Sequence, residues 1–385
     1  MKPLYRQVQP SLTMSLDQQA RELRAAGRDV INLTAGQVDL PMPEVGKAAV
    51  RQALEEDRTG YVAAAGSPDV KAAVRERMGW TEGEVLISAG AKPLLNAAVA
   101  CLCGPEDEVI LPAPCYTSYP EMIRLAGATP VMVPGDPKHD FIVTGEAVEE
   151  HITDRTKALL LNHPVNPTGA VYNADALRKI VDMCIAHDLY LIADEVYSSF
   201  VYEGEFFSLY RFPEIRDRLI LVNAASKTYA MAGLRLGYAV APAYVARAMG
   251  AYLSHALGCP CSLSERAALA VLTMDDCYET DTKTVFRHRR DRLWQALAEI
   301  EGLEIKKNAG AFYLWLDVSK MDDDISFCQK LLDQEDVTLT PGSAFCCPGF
   351  VRLAYTKDIS ILLDAAARMK RFVERNYSSS SGVNS

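Results

Sequence analysis

Short apolar runs that alternate with helical segments limit most strongly how this chain can fold. Residues with helical periodicity fill the gaps between runs rich in Val, Ile and Leu, which are typical of buried strands. Six such runs lie at 85–88, 108–111, 129–133, 157–161, 189–193 and 219–223. Because parallel neighbours need a crossover connection, this alternation predicts an α/β fold with a parallel, doubly wound sheet.

Polar side chains stand just past several of these predicted strands. Four of them follow a strand end closely: Asn166, Asp194, Tyr197 and Lys227. In doubly wound sheets, ligands bind at the carboxyl ends of the strands. We therefore expect these side chains to converge on one site.

Lys227 lies in a loop of small residues, between the run that ends at Asn223 and an arginine, Arg235, with glycines nearby. A lysine held there loses part of its hydration, which lowers the pKa of the amine. Such an amine attacks carbonyl carbons and forms Schiff bases. A lone lysine is more often an exposed surface residue, so the other residues of the site have to decide between the two interpretations.

Two further loops point to a ligand. Gly90-Ala91-Lys92 joins a predicted strand to a predicted helix, and the free N–H groups of a helix start suit a phosphate. Gly36 lies in a loop with two prolines, which predicts either a turn or a close approach of backbone to a ligand. Prolines also fix the loop before Tyr116 and Tyr119, and either ring can lie at the sheet edge or pack in the core.

Composition excludes several classes of protein. The net charge of −10 disfavours nucleic acid as a partner, and no apolar run approaches the ~20 residues of a membrane span. Nothing after Met1 resembles a secretory signal, so we expect a cytoplasmic protein. The ten cysteines form no Cys-x-x-Cys pair, which favours free, buried thiols and no metal site.

Four blocks in this order resemble those of the class I/II aminotransferases of the fold type I pyridoxal-phosphate enzymes, in the aspartate aminotransferase-like branch. The similarity runs from about residue 11 to 375. The blocks are Asn-Pro-Thr-Gly ending at Gly169, Asp194-Glu-Val-Tyr197, Ser226-Lys227 with Arg235, and Arg352-Leu-Ala354. The resemblance implies a large domain with a mostly parallel seven-stranded doubly wound sheet, and a smaller α+β domain built from the two chain ends.

The implied boundaries are 1–43 for an N-terminal arm and part of the small domain, 44–277 for the large cofactor-binding domain, 278–375 for the C-terminal small domain and 376–385 for a disordered tail. The implied activity is a ping-pong transfer of an amino group from an amino acid to a 2-oxo acid. A lyase, synthase or decarboxylase of the same fold is the alternative, and a binding protein with an inactive pocket is a third possibility.

The resemblance also implies a role for each site residue. Lys227 carries pyridoxal 5′-phosphate as a Schiff base and shuttles a proton, and Asp194 pairs with the pyridine nitrogen. Asn166 and Tyr197 donate to the ring oxygen, while Tyr116 stacks on the ring. The implied phosphate ligands are Gly90, Ala91, Lys92, Ser226, Arg235 and, from the other subunit of a homodimer, Tyr61. The implied substrate ligands are Arg352, Asn166 and Gly36.

Three departures from the family pattern concern the site. Ala224 stands where a phosphate-binding serine is common, and Gln37-Val38 replaces Glu-Pro. The loop between Ser343 and Arg352 is short and carries Cys346-Cys347. No arginine between Tyr252 and Ser264 has a clear match to the one that some members use for a dicarboxylate's distal group.

Overall fold

The structure is a computed structural model that describes residues 12–377. The predicted arm at 1–43 and tail at 376–385 therefore lie partly outside the described residues. The domain boundaries given above stay a prediction.

A seven-stranded mixed sheet forms the centre of the larger part, as the resemblance implied. Its strands are β2 (Glu84–Ser88), β3 (Glu108–Ala113), β4 (Thr129–Pro134), β5 (Thr156–Asn162), β6 (Tyr190–Asp194), β7 (Leu219–Ala224) and β8 (Gly237–Ala241). They lie in the order β2-β8-β7-β6-β5-β3-β4. β8 pairs antiparallel with both of its neighbours, and the other pairings are parallel.

Both faces of this sheet are covered, which explains why its strands are continuously apolar. Along β5, Leu159 and Leu161 pack into one buried cluster, while Ala158 and Leu160 pack into the cluster on the opposite face. A fully buried leucine contributes about 1.5–3 kcal/mol relative to an exposed one, so both layers stabilise the sheet. The molecule is therefore a three-layer α/β/α arrangement here.

Thirteen helices surround the strands in the described part of the chain. They are α1 (Leu12–Ala25), α2 (Glu44–Glu55), α3 (Pro68–Met78), α4 (Ala91–Leu102), α5 (Tyr119–Leu125), α6 (Gly145–Glu149), α7 (Ala174–Ala186), α8 (Ala225–Thr228), α9 (Ala243–Ala256), α10 (Ser262–Leu272), α11 (Cys277–Ala298), α12 (Asp324–Glu335) and α13 (Ile359–Asn376). Helices α3, α7 and α10 contribute to one face of the sheet, and α4, α5 and α9 to the other. Sequence signals mark the ends of α3, because Pro68 opens it and Gly79 closes it in the left-handed region.

A smaller antiparallel sheet forms the second part. Its strands are β9 (Glu304–Ile305), β10 (Tyr313–Asp317), β12 (Thr340–Pro341) and β13 (Phe350–Ala354), in the order β12-β13-β10-β9. The N-terminal segment joins this part, since β1 (Ile31–Asn32) pairs in parallel with β11 (Val337–Thr338). A separate buried cluster that includes Phe286, Phe312 and Phe327 holds it together.

Strand direction decides which loops meet at one edge of the large sheet. The parallel strands β3, β5, β6 and β7 all end at the same edge. β8 runs in the opposite direction and therefore begins there, which brings Arg235 to the same edge as Lys227. β2 is antiparallel to β8, so it too ends at this edge, just before Gly90. The topology alone thus gathers most of the predicted site.

Among residues 12–377, no helix is both long and apolar enough to cross a membrane.

Candidate active site

A cavity of about 560 Å³ lies between this edge of the large sheet and the smaller sheet. Its walls contain most of the residues predicted from the sequence: Gly36, Ala91, Lys92, Tyr116, Asn166, Asp194, Tyr197, Ser226, Lys227, Arg235 and Arg352. Gly90 is not part of the lining but comes directly before Ala91, which is. Tyr61 does not line the cavity, and its side chain is fully exposed. A volume of this size is typical of pockets for small organic ligands.

Lys227 extends into the cavity from helix α8, directly after strand β7. Its ammonium donates to the backbone oxygen of Gly36 at 2.5 Å. Burial, followed by the positive charges of Arg352 and Arg235, lowers the pKa of Lys227 to about 8. With this pKa about a tenth of the amine is neutral at pH 7, far more than for an ordinary lysine, and the neutral form is the nucleophile.

Asp194 ends strand β6 and is buried beneath the cavity. Its carboxylate accepts from the hydroxyl of Tyr119 at 2.7 Å and from the backbone N–H of Val196 at 3.2 Å. Burial raises the pKa of Asp194 to about 6, although these two bonds and the charge of Lys227 act in the opposite direction. Asp194 therefore carries a negative charge at neutral pH, and two hydrogen bonds and the nearby cation of Lys227 offset part of the cost of its burial.

The next residue, Glu195, is buried with its side chain bonded elsewhere. It accepts from the Ser208 hydroxyl at 2.7 Å and from the backbone N–H of Leu209 at 2.8 Å. Burial raises the pKa of Glu195 to about 8, so its carboxyl is mostly protonated at neutral pH. A second negative charge beside Asp194 is thereby avoided.

Arg352 is a buried cation that forms no ion pair with the carboxylates of residues 12–377. From strand β13 its guanidinium donates to Asn166 Oδ1 at 2.8 Å and to the backbone oxygen of Thr34 at 2.5 Å. Its Nε is buried and has no hydrogen-bond partner among the described residues. Burial lowers the pKa of Arg352. A guanidinium in this state fits a carboxylate ligand, which satisfies the free donor and neutralises the charge.

The start of helix α4 forms a cradle for an anion. Gly90 has a φ of 101°, and a side chain added at this residue would place its Cβ 2.5 Å from Arg235 Nη2. At Gly237, a Cβ would lie 2.4 Å from the backbone nitrogen of Ala91. Both glycines thus keep the helix N-terminus open beside a guanidinium, and Ser226 lines the same cavity. These donors fit a phosphate group.

Ala224 lies in this wall without a hydroxyl group. It is buried and lines the cavity, so the position predicted to lack a serine contributes only a methyl group. The cradle therefore depends on Ser226, Arg235 and the helix start.

Aromatic rings line the remaining walls. Tyr116 packs edge-on against Tyr119 with ring centroids 5.4 Å apart, and the ammonium of Lys92 lies 5.5 Å from the centroid of Tyr116. The hydroxyl groups of Tyr197 and Tyr313 are 2.8 Å apart. A flat ring fits between such walls, next to Lys227 and above Asp194.

Tyr313 and Thr34 were not identified from the sequence as residues of the site, and Tyr119 was indicated only as an alternative to Tyr116. Tyr119 supports Asp194, Tyr313 contacts both Tyr197 and the guanidinium of Arg352, and Thr34 accepts from Arg352. Tyr313 leaves Gly36 no room for a side chain, since a Cβ there would lie 2.0 Å from the tyrosine hydroxyl. Only the choice between Tyr116 and Tyr119 had a signal in the sequence, through the prolines before them.

Taken together, the side chains and backbone groups of the cavity match the three features of pyridoxal phosphate: a phosphate group, a basic ring nitrogen and an aldehyde. The cradle at Gly90 suits the phosphate, the buried carboxylate of Asp194 suits a protonated nitrogen, and the amine of Lys227 suits the aldehyde. The residues present therefore fit this cofactor.

Comparisons with known proteins agree with this geometry. Residues 28–367 match the family profile described as Aminotransferase class I and II. The chain is 35% identical to the probable aspartate/prephenate aminotransferase of Aquifex aeolicus, over 95% of this chain and 97% of that protein. It is 33% identical to the aspartate aminotransferase of Bacillus subtilis, with 95% and 97% covered.

Among solved structures, the aspartate aminotransferase from Thermus thermophilus with maleate superposes with a TM-score of 0.93. That structure is 35% identical in sequence, and the match covers 97% of this chain and 99% of that one. The likeness extends over both sheets, not only over the cavity.

The low pKa of Lys227 can be measured directly. In cofactor-free protein, competitive acetylation followed by mass spectrometry should give a midpoint near pH 8 for Lys227. The midpoint should rise in an Arg352→Met variant, because a neighbouring positive charge that disfavours the ammonium is removed. Lys320 is the control, since its hydrogen bond to Glu304 raises its pKa. A midpoint above about pH 10 for Lys227, the range of an ordinary lysine, would contradict the description of this site.

Proposed function

The chain belongs to the class I and II aminotransferases, and we propose that the amino group it transfers comes from a dicarboxylic amino acid, in particular aspartate. The protein is a pyridoxal-phosphate-dependent transaminase that works by a ping-pong reaction between an amino acid and a 2-oxo acid. The observation that carries the residue assignments below is the meeting of Lys227, Asp194 and Arg352 in one cavity.

We assign the cofactor-holding residues as follows. The N-terminus of α4 at Ala91 and Lys92, together with Ser226 and Arg235, holds the phosphate. Asp194 holds the ring nitrogen in its protonated form, while Tyr119 fixes the direction of the carboxylate through its 2.7 Å hydrogen bond. Tyr116 covers the ring, and the side chains of Asn166 and Tyr197 lie within the same cavity as donors to its oxygen.

Bound pyridoxal phosphate supplies an electron-withdrawing ring that stabilises negative charge on the amino acid's Cα. The chain's own part is to bind, orient and move protons. Arg352, held by Asn166 and Thr34, binds the α-carboxylate and so fixes the direction of the Cα–H bond. Lys227 Nζ accepts the Cα proton, because burial and neighbouring cations favour its neutral form.

Replacing Lys227 tests the assigned activity. A Lys227→Ala variant should lose the yellow absorbance of the lysine-bound cofactor and several orders of magnitude of turnover, since it lacks both the attachment point and the base. Exposed Lys306, which pairs with Asp140, provides the control variant Lys306→Ala with unchanged turnover. Full activity of Lys227→Ala would contradict the assignment. Release of ammonia without a 2-oxo acid would instead indicate a lyase.

A second carboxylate of the substrate has a candidate partner in Lys92. Several cations line the cavity, and Arg21 among them already pairs with Asp17 at 2.8 Å. The exposed Lys92 ammonium lies over the ring of Tyr116 and forms no ion pair with the described carboxylates. With Arg352 assigned to the α-carboxylate and Arg235 to the phosphate, Lys92 is a further cation in the lining of the cavity. The relatives named for aspartate support a dicarboxylic substrate.

This role predicts a selective effect of Lys92→Met. The kcat/KM for aspartate should fall about 10- to 100-fold, the loss of one charge-assisted hydrogen bond, while that for alanine changes less than about twofold. Steady-state kinetics with a common 2-oxo acid measure both. Arg21→Met is the matched control, because its guanidinium is already paired with Asp17. Equal losses with both amino acids would show that Lys92 does not bind the distal carboxylate.

A homodimer is part of the proposal, supported by the loop that carries Tyr61. The Glu265 carboxylate fixes this loop by accepting from the backbone N–H and the hydroxyl of Ser67. The backbone oxygen of Ala65 also accepts from Ile87 at 3.0 Å. A loop anchored this firmly nevertheless presents a fully exposed tyrosine away from its own cavity. A tyrosine so placed suits the phosphate of a second subunit's cofactor.

Mixing two inactive variants tests the shared site. If Tyr61 serves the partner, Lys227→Ala and Tyr61→Ala chains should regain up to about a quarter of wild-type activity when refolded together, since each hybrid dimer contains one intact site. Analytical ultracentrifugation confirms that hybrids form. Hybrid dimers that form but regain no activity, or a monomer with full activity, would contradict the shared site.

We also propose a cytoplasmic location. The ten cysteines form no disulfide in the structure, which agrees with a reducing compartment.

A further inference from the structure

Two cysteines from different sheets meet beside the cavity. Cys115 follows strand β3 of the large sheet, and Cys346 follows a short helical turn that leads into the smaller sheet. The backbone N–H of Cys115 donates to the oxygen of Phe345 at 3.1 Å. The thiol of Cys115 also forms a hydrogen bond with Cys346.

The two thiols differ in exposure and charge. Cys115 is buried and Cys346 is exposed. The hydrogen bond from Cys115, together with the positive charge of Arg124, lowers the pKa of Cys346 to about 7, against the opposing effects of burial and of Glu121. The same hydrogen bond and burial raise the pKa of Cys115. An accessible thiolate thus lies against a protonated thiol, which is the arrangement of an attacking and a resolving cysteine.

We propose that Cys115 and Cys346 form a thiol–disulfide site that reacts with low-molecular-weight disulfides and, when oxidised, reversibly blocks turnover. The Cys346 thiolate, whose proton has gone to solvent, attacks one sulfur of the disulfide; the S–S bond breaks, and the leaving thiolate takes up a proton to become the first thiol. Cys115 then gives up its proton, and its sulfur attacks Cys346, breaking the mixed disulfide and releasing a second thiol. In total the protein loses two protons and two electrons, and the small disulfide gains them as two thiols.

The position of the bond explains why it should affect turnover. Cys115 directly precedes Tyr116 in the wall of the cavity, and Cys346 directly follows Phe345. The ring of Phe345 lies 4.7 Å from the guanidinium of Arg352. A covalent bond here would tie together the two walls of the cavity that bear Tyr116 and Phe345, and so restrict any movement by which two substrates enter and leave in turn.

The test uses purified holoenzyme with oxidised glutathione. Intact mass should fall by about 2 Da, the two hydrogens lost in forming one disulfide. Peptide mapping with fragmentation should place the bond between Cys115 and Cys346. Turnover should fall at least about tenfold as the bond forms, and dithiothreitol should restore it.

The variant Cys346→Ser should keep its basal turnover and become insensitive to oxidised glutathione. Cys277→Ser is the matched control, an exposed cysteine whose pKa is raised by Asp275, and it should respond like the wild type. A bond between Cys346 and Cys347, glutathione that stays on Cys346, or a Cys115–Cys346 bond without loss of turnover would overturn the proposal. The mass measurement does not depend on which substrate is transaminated, so its result stands apart from the assigned function.

Discussion

Positive charge without enough negative charge to balance it is the constraint on which the site depends. Lys92, Lys227, Arg235 and Arg352 line one cavity, whose described lining holds two carboxylates: the buried Asp194, and the half-buried Asp17, which is paired with Arg21. A folded chain that places cations together in this way pays in desolvation and mutual repulsion. The arrangement becomes favourable when anions enter: a phosphate, an α-carboxylate and a side-chain carboxylate. The cavity is therefore organised for anionic ligands before any of them binds.

The sheet makes this concentration of charge possible. Parallel strands end at one edge, and the reversed β8 adds Arg235 to the same edge. Local strain accompanies the site, because Arg235 has a φ of 54°, in a region that non-glycine residues seldom adopt. Two apolar layers on either side of the sheet supply the stability that offsets these costs. Asp194 and Glu195 illustrate the arrangement, since these adjacent buried acids differ in charge at neutral pH. Burial raises the pKa of both and hydrogen bonds lower it, but the charge of Lys227 lowers that of Asp194 further, whereas the charge of Asp194 raises that of Glu195.

Most strands of the large sheet and most residues of the cavity could be predicted from the sequence, and physical reasons explain which could not. The six predicted strands of the large sheet all appear, because short, continuously apolar runs between helical segments most often form buried strands. Strand β8 (Gly237–Ala241) was not located, since its short run follows a glycine-rich loop directly, and periodicity does not give strand direction. The polar residues past the strand ends do meet in one cavity. Tyr313, by contrast, comes from the second sheet, and its contact with Arg352 depends on how the two sheets pack.

The central claim is that Lys227 and Asp194 bind one cofactor between them. The most direct measurement is a crystal structure of the protein with pyridoxal phosphate. We expect the cofactor to be covalently joined to Lys227 Nζ, with its ring nitrogen within about 2.6–3.2 Å of the Asp194 carboxylate and its phosphate at the start of helix α4. Attachment to a different lysine, or a ring nitrogen that faces away from Asp194, would contradict the account.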